Sequence, residues 1–272
     1  MFYGEVLAEL LATERNPVNK MYLNEIRIKW KNLEKAAADK EQSNELLVKA
    51  LNSFTKQINN RKYRFVESSE KGFKDDSPLF KPLYLDDIIS IFMNRRSILQ
   101  HLGIKWGRQR FTTNQGLNPI SICSMQDEPN FVTGESPEFL MLTQEFDFQF
   151  RITGKRRFIK QQLLFPLMIF HTYRVLNLED VIRAEYYANM AKSTFAKVHV
   201  ILVTEMVEES LMHDIKTLPF DTVFVLRKQV ESETLEPISL EVVNALEEKI
   251  TSLLVEKDEV SDNFKETGII SQ

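Results

Sequence analysis

Between Phe146 and Thr204 the chain carries a pattern that few folds can satisfy. Phe146-Asp147-Phe148-Gln149-Phe150-Arg151-Ile152 alternates apolar and polar side chains. That period of two is the signature of a half-buried strand. Thr153-Gly154-Lys155 is suited to a turn, and Leu163 to Val175 is an almost continuous apolar run, as expected of a buried strand returning beside the first. Asn177 can cap a helix through Lys192 whose small and apolar positions, among them Val181, Ala184, Ala188 and Ala191, suit close packing on a sheet. Val198 to Thr204 is a third apolar strand. A hairpin, a crossover helix and a parallel strand predict a mixed α/β layer with helices against its sheet. A short helix around Glu208 to Lys216, a strand at Thr222 to Leu226 and an amphipathic helix from Ser239 to Val255 complete this part.

The first third reads as helices. Phe2, Val6, Leu7, Leu10 and Leu11 recur at helical spacing until Asn16-Pro17 breaks the pattern. Tyr22 to Lys40 offers Ile26, Ile28, Trp30, Leu33 and Ala36, and Asn44 to Ile58 offers Leu46, Leu47, Leu51 and Phe54. The stretch from Lys62 to Lys81, punctuated by Gly72, Asp75-Asp76 and Pro78, reads as a linker. Tyr84 to Leu102 returns to helix with Asp86 as its expected cap, and Trp106 to Val132 reads as irregular. The expected division is a helical region over 1–80, an α/β core with loops over 81–232, and a terminal helix and tail over 233–272.

Composition narrows the functional classes. With 8 Gly, 9 Pro and 1 Cys among 272 residues, collagen-like and disulfide-framework chains are excluded. Cys123 stands alone, so there is no intrachain disulfide and no four-cysteine zinc site; a reducing cytoplasm is the expected location. Pro166 interrupts the longest apolar run, so no membrane span is expected, and Glu5 and Glu9 lie in the first apolar stretch, unlike a secretory signal. The net charge of −4 conceals segregation. From Glu231 to Gln272 eleven acidic residues face three basic ones, whereas Arg95 to Lys160 holds ten basic against six acidic. A local basic footprint bears on nucleic acid more than the whole-chain charge.

No Gly-rich phosphate loop, HExxH or GxSxG motif is present, and the four histidines are scattered: His199 reads as a satisfied strand residue, His101 and His213 as surface positions. Two basic clusters are more informative. Lys105, Arg108, Gln109 and Arg110, with Trp106 and Phe111 between and beside them, combine cations, an amide and aromatics in a segment read as a loop. Arg and Gln suit guanine and adenine edges, while Lys suits phosphates. Lys155, Arg156 and Arg157 lie at the expected hairpin tip, where they would reach a duplex backbone. Metal-dependent phosphodiesterases further need carboxylates on adjacent strands around a hard cation, and Asp147 stands on the first strand.

From Phe146 onward, roughly the last 130 residues, the chain resembles the two-subunit type II restriction endonucleases that cut asymmetric sites, the BbvCI-like group. The resemblance is carried by Val203-Thr204-Glu205, Phe220-Asp221-Thr222-Val223-Phe224-Val225-Leu226-Arg227-Lys228, Pro237-Ile238, Val242-Val243 and Thr267-Gly268-Ile269-Ile270, in that order. It implies the PD-(D/E)xK nuclease fold, Mg2+, double-stranded DNA as partner and paired subunits, homo- or heterodimeric. The first acidic ligand matches Asp147, while the Glu-x-Lys positions fall on His171 and Tyr173. Neutral histidine is a poor magnesium ligand and tyrosine supplies no ammonium charge. In some related nucleases the second carboxylate comes from the following helix, which here would be Glu185, making Asp147 and Glu185 the expected metal pair; Lys160 and Lys192 are the candidates for the absent lysine. Three readings follow: an active DNA-cutting subunit, a nuclease-fold subunit that binds DNA or assembles beside an active partner, and an interaction protein unrelated to nucleic acid.

Overall fold

The computed structural model describes residues 2–38, 43–59, 82–95, 104–117, 131–151, 158–195, 197–211, 215–229 and 235–267, with backbone alone at 112–117, 131–135, 145–151, 158–165 and 254–267. The chain divides into two compact units, Met1–Phe92 with Phe224–Gln272, and Met93–Val223.

The first unit is helical. Its elements are α1 (Phe2–Thr13), α2 (Pro17–Ala38), α3 (Asn44–Ile58), most of α4 (Leu83–Arg95), and α6 (Leu240–Thr267). Asn16 and Pro17 do not merely end α1; they start α2. The Asn16 Oδ1 accepts the Val18 N–H at 2.9 Å, and proline at the first helical position loses no internal bond. Asp86, expected as the α4 cap, instead lies buried in the first turn of that helix. Its neighbour Asp87 caps a different helix: its carboxylate accepts the N–H of Phe2 at 2.8 Å and of Tyr3 at 2.9 Å. The core holds an aromatic cluster in which Tyr3, Trp30, Phe54 and Tyr84 meet edge to face or tilted, and Leu23, Leu33, Leu47 and Leu51 of the same unit are also buried. Ile28 and Leu46, placed on apolar faces by periodicity, are exposed, and Leu23 and Val48 take the inward positions.

The second unit holds a sheet in the order β1-β4-β5-β6-β7, and a separate pair β2-β3. The strands are β1 (Ile104–Gln109), β2 (Thr112–Leu117), β3 (Phe131–Glu135), β4 (Phe139–Arg151), β5 (Phe158–Leu176), β6 (His199–Val207) and β7 (Thr222–Val225), whose last two residues fall in the first unit. The expected hairpin is present as antiparallel β4 and β5, from Leu140 opposite Phe170 to Arg151 opposite Phe158. Residues 153–155, read as its turn, lie outside the described residues. Pro166 sits inside β5, where the register slips between Leu142 and Thr143. A proline has no N–H for the ladder, and a bulge is where a strand tolerates that loss.

The crossover helix is α5 (Leu178–Thr194), opened by Asn177, whose side chain accepts the Asp180 N–H at 2.9 Å. Ala184, Ala188 and Ala191 are fully buried, so the helix backbone lies close over the sheet before the chain enters β6 parallel to β5. Two expectations are corrected. The segment read as irregular from Trp106 contains β1, β2 and β3, because β1 borrows its ladder from β4 (Arg108 opposite Leu140) rather than from local periodicity. The helix expected at Glu208 to Lys216 is two short 3-10 turns, Glu209–Leu211 and Ile215–Thr217, among the described residues.

Candidate functional site

The carboxyl end of β5 carries His171, Thr172 and Tyr173, the positions to which the resemblance assigns Glu-x-Lys. Alternation puts Ile169, His171 and Tyr173 on one face, the face covered by α5. Ile169 packs there with Phe139, Met141, Ala188, Ala191 and Val200. His171 is wholly inaccessible, with its ring 4.3 Å from the centroid of Phe139 and 5.4 Å from that of Phe220. Neither ring nitrogen has a hydrogen-bond partner among the described residues. Burial without a partner penalises the imidazolium, and its pKa is pushed down to about 3. The imidazole is neutral and sealed from solvent.

Tyr173 stands near the start of α5. Burial pushes its phenol upward, the Asp180 carboxylate and Tyr187 add to that, and Arg183 opposes it. The phenol stays protonated at any ordinary pH. Asp180 is itself raised by burial, with Arg183 pulling the other way. Arg183 is engaged by Glu179 at 2.7 Å one turn earlier.

Sequence reasoning overlooked a residue that tertiary pairing brings to this end of the sheet. Extending the β4–β5 register by two positions puts Glu138 opposite Thr172, between His171 and Tyr173. Its carboxylate lies 3.8 Å from Arg108 Nε and 3.7 Å from Arg110 Nη2, and its carbonyl accepts from Arg108 Nη2 at 3.3 Å. Two of the cations expected to read bases thus share a half-exposed carboxylate. Arg108 lies on one face of β1, with Arg110 just beyond the strand sharing its carboxylate, and Lys105 and Gln109 lie on the other face, so the set read as one loop surface is divided by the strand. The run Phe139-Leu140-Met141-Leu142, buried throughout, was the available signal that β4 begins at Phe139 rather than Phe146.

The remaining expected residues fall elsewhere. Asp147 pairs with Gln162. At a rise of about 3.3 Å per residue, that is about 30 Å along β5 from His171. Glu185 is exposed on α5. The helix, about 25 Å long at 1.5 Å per residue, returns the chain only to β6, whose His199 stands opposite Met168, about 20 Å short of Gln162. The register therefore does not bring Asp147 to Glu185 or to His171. Lys192 is held by Asp221 at 2.7 Å, and this carboxylate also accepts the Val200 N–H at 2.7 Å. The side chain of Lys160, residues Lys155, Arg156 and Arg157, and His101 and His213 lie outside the described residues. Among the described residues no three His, Cys, Asp or Glu side chains are grouped to hold a metal. His171 and Tyr173 themselves do not fit magnesium, which requires oxygen ligands: one is a sealed neutral imidazole and the other a protonated phenol.

No family model matches the sequence, and no curated protein matches it. Among solved structures, a chain in the native BbvCI A2B2 tetramer superposes with a TM-score of 0.58 at 13% identity, over 91% of this chain and 96% of that one. The two chains share a fold. At that identity the likeness concerns fold, and it extends over the helical N-terminal region, which the sequence resemblance did not reach. No described helix is long and apolar enough to cross a membrane.

Proposed function

We propose that this chain is a nuclease-fold subunit that binds double-stranded DNA and works within a multi-subunit assembly, without hydrolysing phosphodiesters at its own β5 site. The observation that carries the reading is His171, inaccessible and neutral where the resemblance calls for a carboxylate ligand. DNA contact is supported by the cations in and just after β1: Arg110 is exposed with Arg108 half-buried near it, and Lys105 is exposed on the opposite face of the strand. Assembly is supported by the A2B2 arrangement of the BbvCI structure. Neither His171 nor Tyr173 offers the carboxylate that the magnesium implied by the resemblance would need.

Two measurements test the proposal. Titrating salt against the affinity for random duplex should give a log–log slope near −4 to −5 for about 5 neutralised phosphates; a flat response overturns DNA binding. Incubating the purified chain with mixed-sequence duplex and magnesium should give neither cleavage nor nicking. Cutting that is abolished by Asp147→Asn or Glu185→Gln would overturn the non-hydrolytic reading and establish the metal pair that the resemblance implies.

A further inference from the structure

Helix α5 is apolar on two faces. Its inner face is occupied by Val181, Ala184, Ala188 and Ala191 against the sheet. On its outer face Leu178, Ile182 and Tyr186 follow one another at intervals of four residues, and they are 57%, 62% and 51% exposed. No other exposed large apolar side chain is described in the second unit. Scattered exposed leucines are ordinary, but a contiguous stripe marks an interaction surface.

The stripe is complementary to itself. Two copies of α5 crossing antiparallel about a two-fold axis at Ile182 set Ile182 against Ile182 and Leu178 against Tyr186 of the other copy, twice over. Glu179 and Arg183 flank the stripe on one side, one turn apart. In that arrangement like sides of the two helices meet, so Glu179 of each copy approaches Arg183 of the other. An isologous contact needs this reciprocity, in which one patch serves as both partners. The three side chains expose on the order of 350 Å² per copy, so a pair covers about 700 Å², roughly half of a standard interface. An interface of that size belongs to the weak, transient class.

We infer that the outer face of α5 is a homodimer interface, with Ile182 on the two-fold axis and Glu179–Arg183 pairs exchanged between copies. This names a surface and a partner for the assembly proposed above, and it stands independently of DNA binding.

Sedimentation velocity across a concentration series up to ~100 µM tests it on the full chain. A monomer–dimer equilibrium is expected, with Ile182→Asp raising the dissociation constant at least tenfold. Glu179→Arg alone should also weaken the dimer, and Glu179→Arg combined with Arg183→Glu should recover it. Because Ile182→Asp could act through folding, a Cys123→Ser chain carrying Ile182→Cys provides a second measurement. Mild oxidation should link it into a covalent dimer, while Glu185→Cys in the same background should not link. A chain that stays monomeric throughout, a dimer indifferent to Ile182→Asp, or equal cross-linking at both cysteines would overturn the interface. Duplex affinity measured on the Ile182→Asp monomer separates this result from the DNA reading.

Discussion

The imidazole of His171 lies 4.3 Å, centroid to centroid, from the ring of Phe139, and its two nitrogens have no hydrogen-bond partner among the described residues. A polar ring has been enclosed as if it were apolar. Its folded pKa of about 3 lies below the ordinary 6.5, so between those values the unfolded chain binds more protons than the folded one. The stability this residue permits is complete above pH 6.5 and is lost as pH falls through the window, with a limiting slope of about 1.4 kcal/mol per pH unit. His171→Leu should flatten that dependence and stabilise the chain by about 1–3 kcal/mol at pH 5, by removing an unsatisfied group. Urea midpoints of both chains from pH 4 to 8 check this; parallel curves would contradict it.

Asp87 titrates with the opposite sign. Burial raises it from 3.8 to about 6, despite the N–H groups of Tyr3 and Phe2 that favour its charged form. The folded chain therefore binds the extra proton between those values, and stability is complete below pH 3.8 and declines as pH rises through 6, by about 3 kcal/mol in all. Asp87→Asn should abolish this decline while leaving the His171 dependence intact. Thermal midpoints at pH 4, 5 and 6 distinguish the two groups.

Glu138 restrains the cations it pairs with. Removing it as Glu138→Ala frees both Arg108 and Arg110 from a shared counter-charge. Exposed ion pairs contribute little to stability, so folding should change by less than about 1 kcal/mol. Affinity for random duplex should rise, and the salt slope should steepen by about 1. Fluorescence anisotropy between 50 and 200 mM salt is the measurement, and weakened binding would show that Glu138 is itself part of the contact. In the same assay Arg108→Ala and Arg110→Ala should cost more affinity for a cognate site than for random duplex.

Asp221 joins the end of α5 to β6 by accepting from both Lys192 Nζ and the Val200 N–H. Asp221→Ala leaves that strand amide without its partner and should destabilise by about 2–3 kcal/mol. Lys192→Met keeps the amide bond and should cost under about 1 kcal/mol. Chemical denaturation of the two variants checks the ordering, which would be reversed if Lys192 were a functional lysine retained at a cost in stability.

The order from β4 through α5 to β6 was legible because those elements were written in local chemistry: the alternation at Phe146–Ile152, the Asn177 cap, and the small residues of α5. β1 was not, since Lys105-Trp106-Gly107-Arg108 has no strand periodicity of its own and takes its hydrogen bonds from β4. In the helical unit periodicity recovered the core but misplaced Ile28 and Leu46, because apolar residues outnumber the inward positions of α2 and α3.

The candidate site divides along the same line. By itself the sequence determined that β4 and β5 form a hairpin, while the register that sets Asp147 opposite Gln162 came from the structure. It also determined that His171-Thr172-Tyr173 supplies neither carboxylate nor ammonium. Only the tertiary structure decided that Glu138, Arg108 and Arg110 meet beside that triplet, and that His171 is sealed beneath α5. A strand's period of two specifies which face a side chain occupies, but not which residue of another strand stands opposite it; that depends on where strands begin, where they bulge and what covers them.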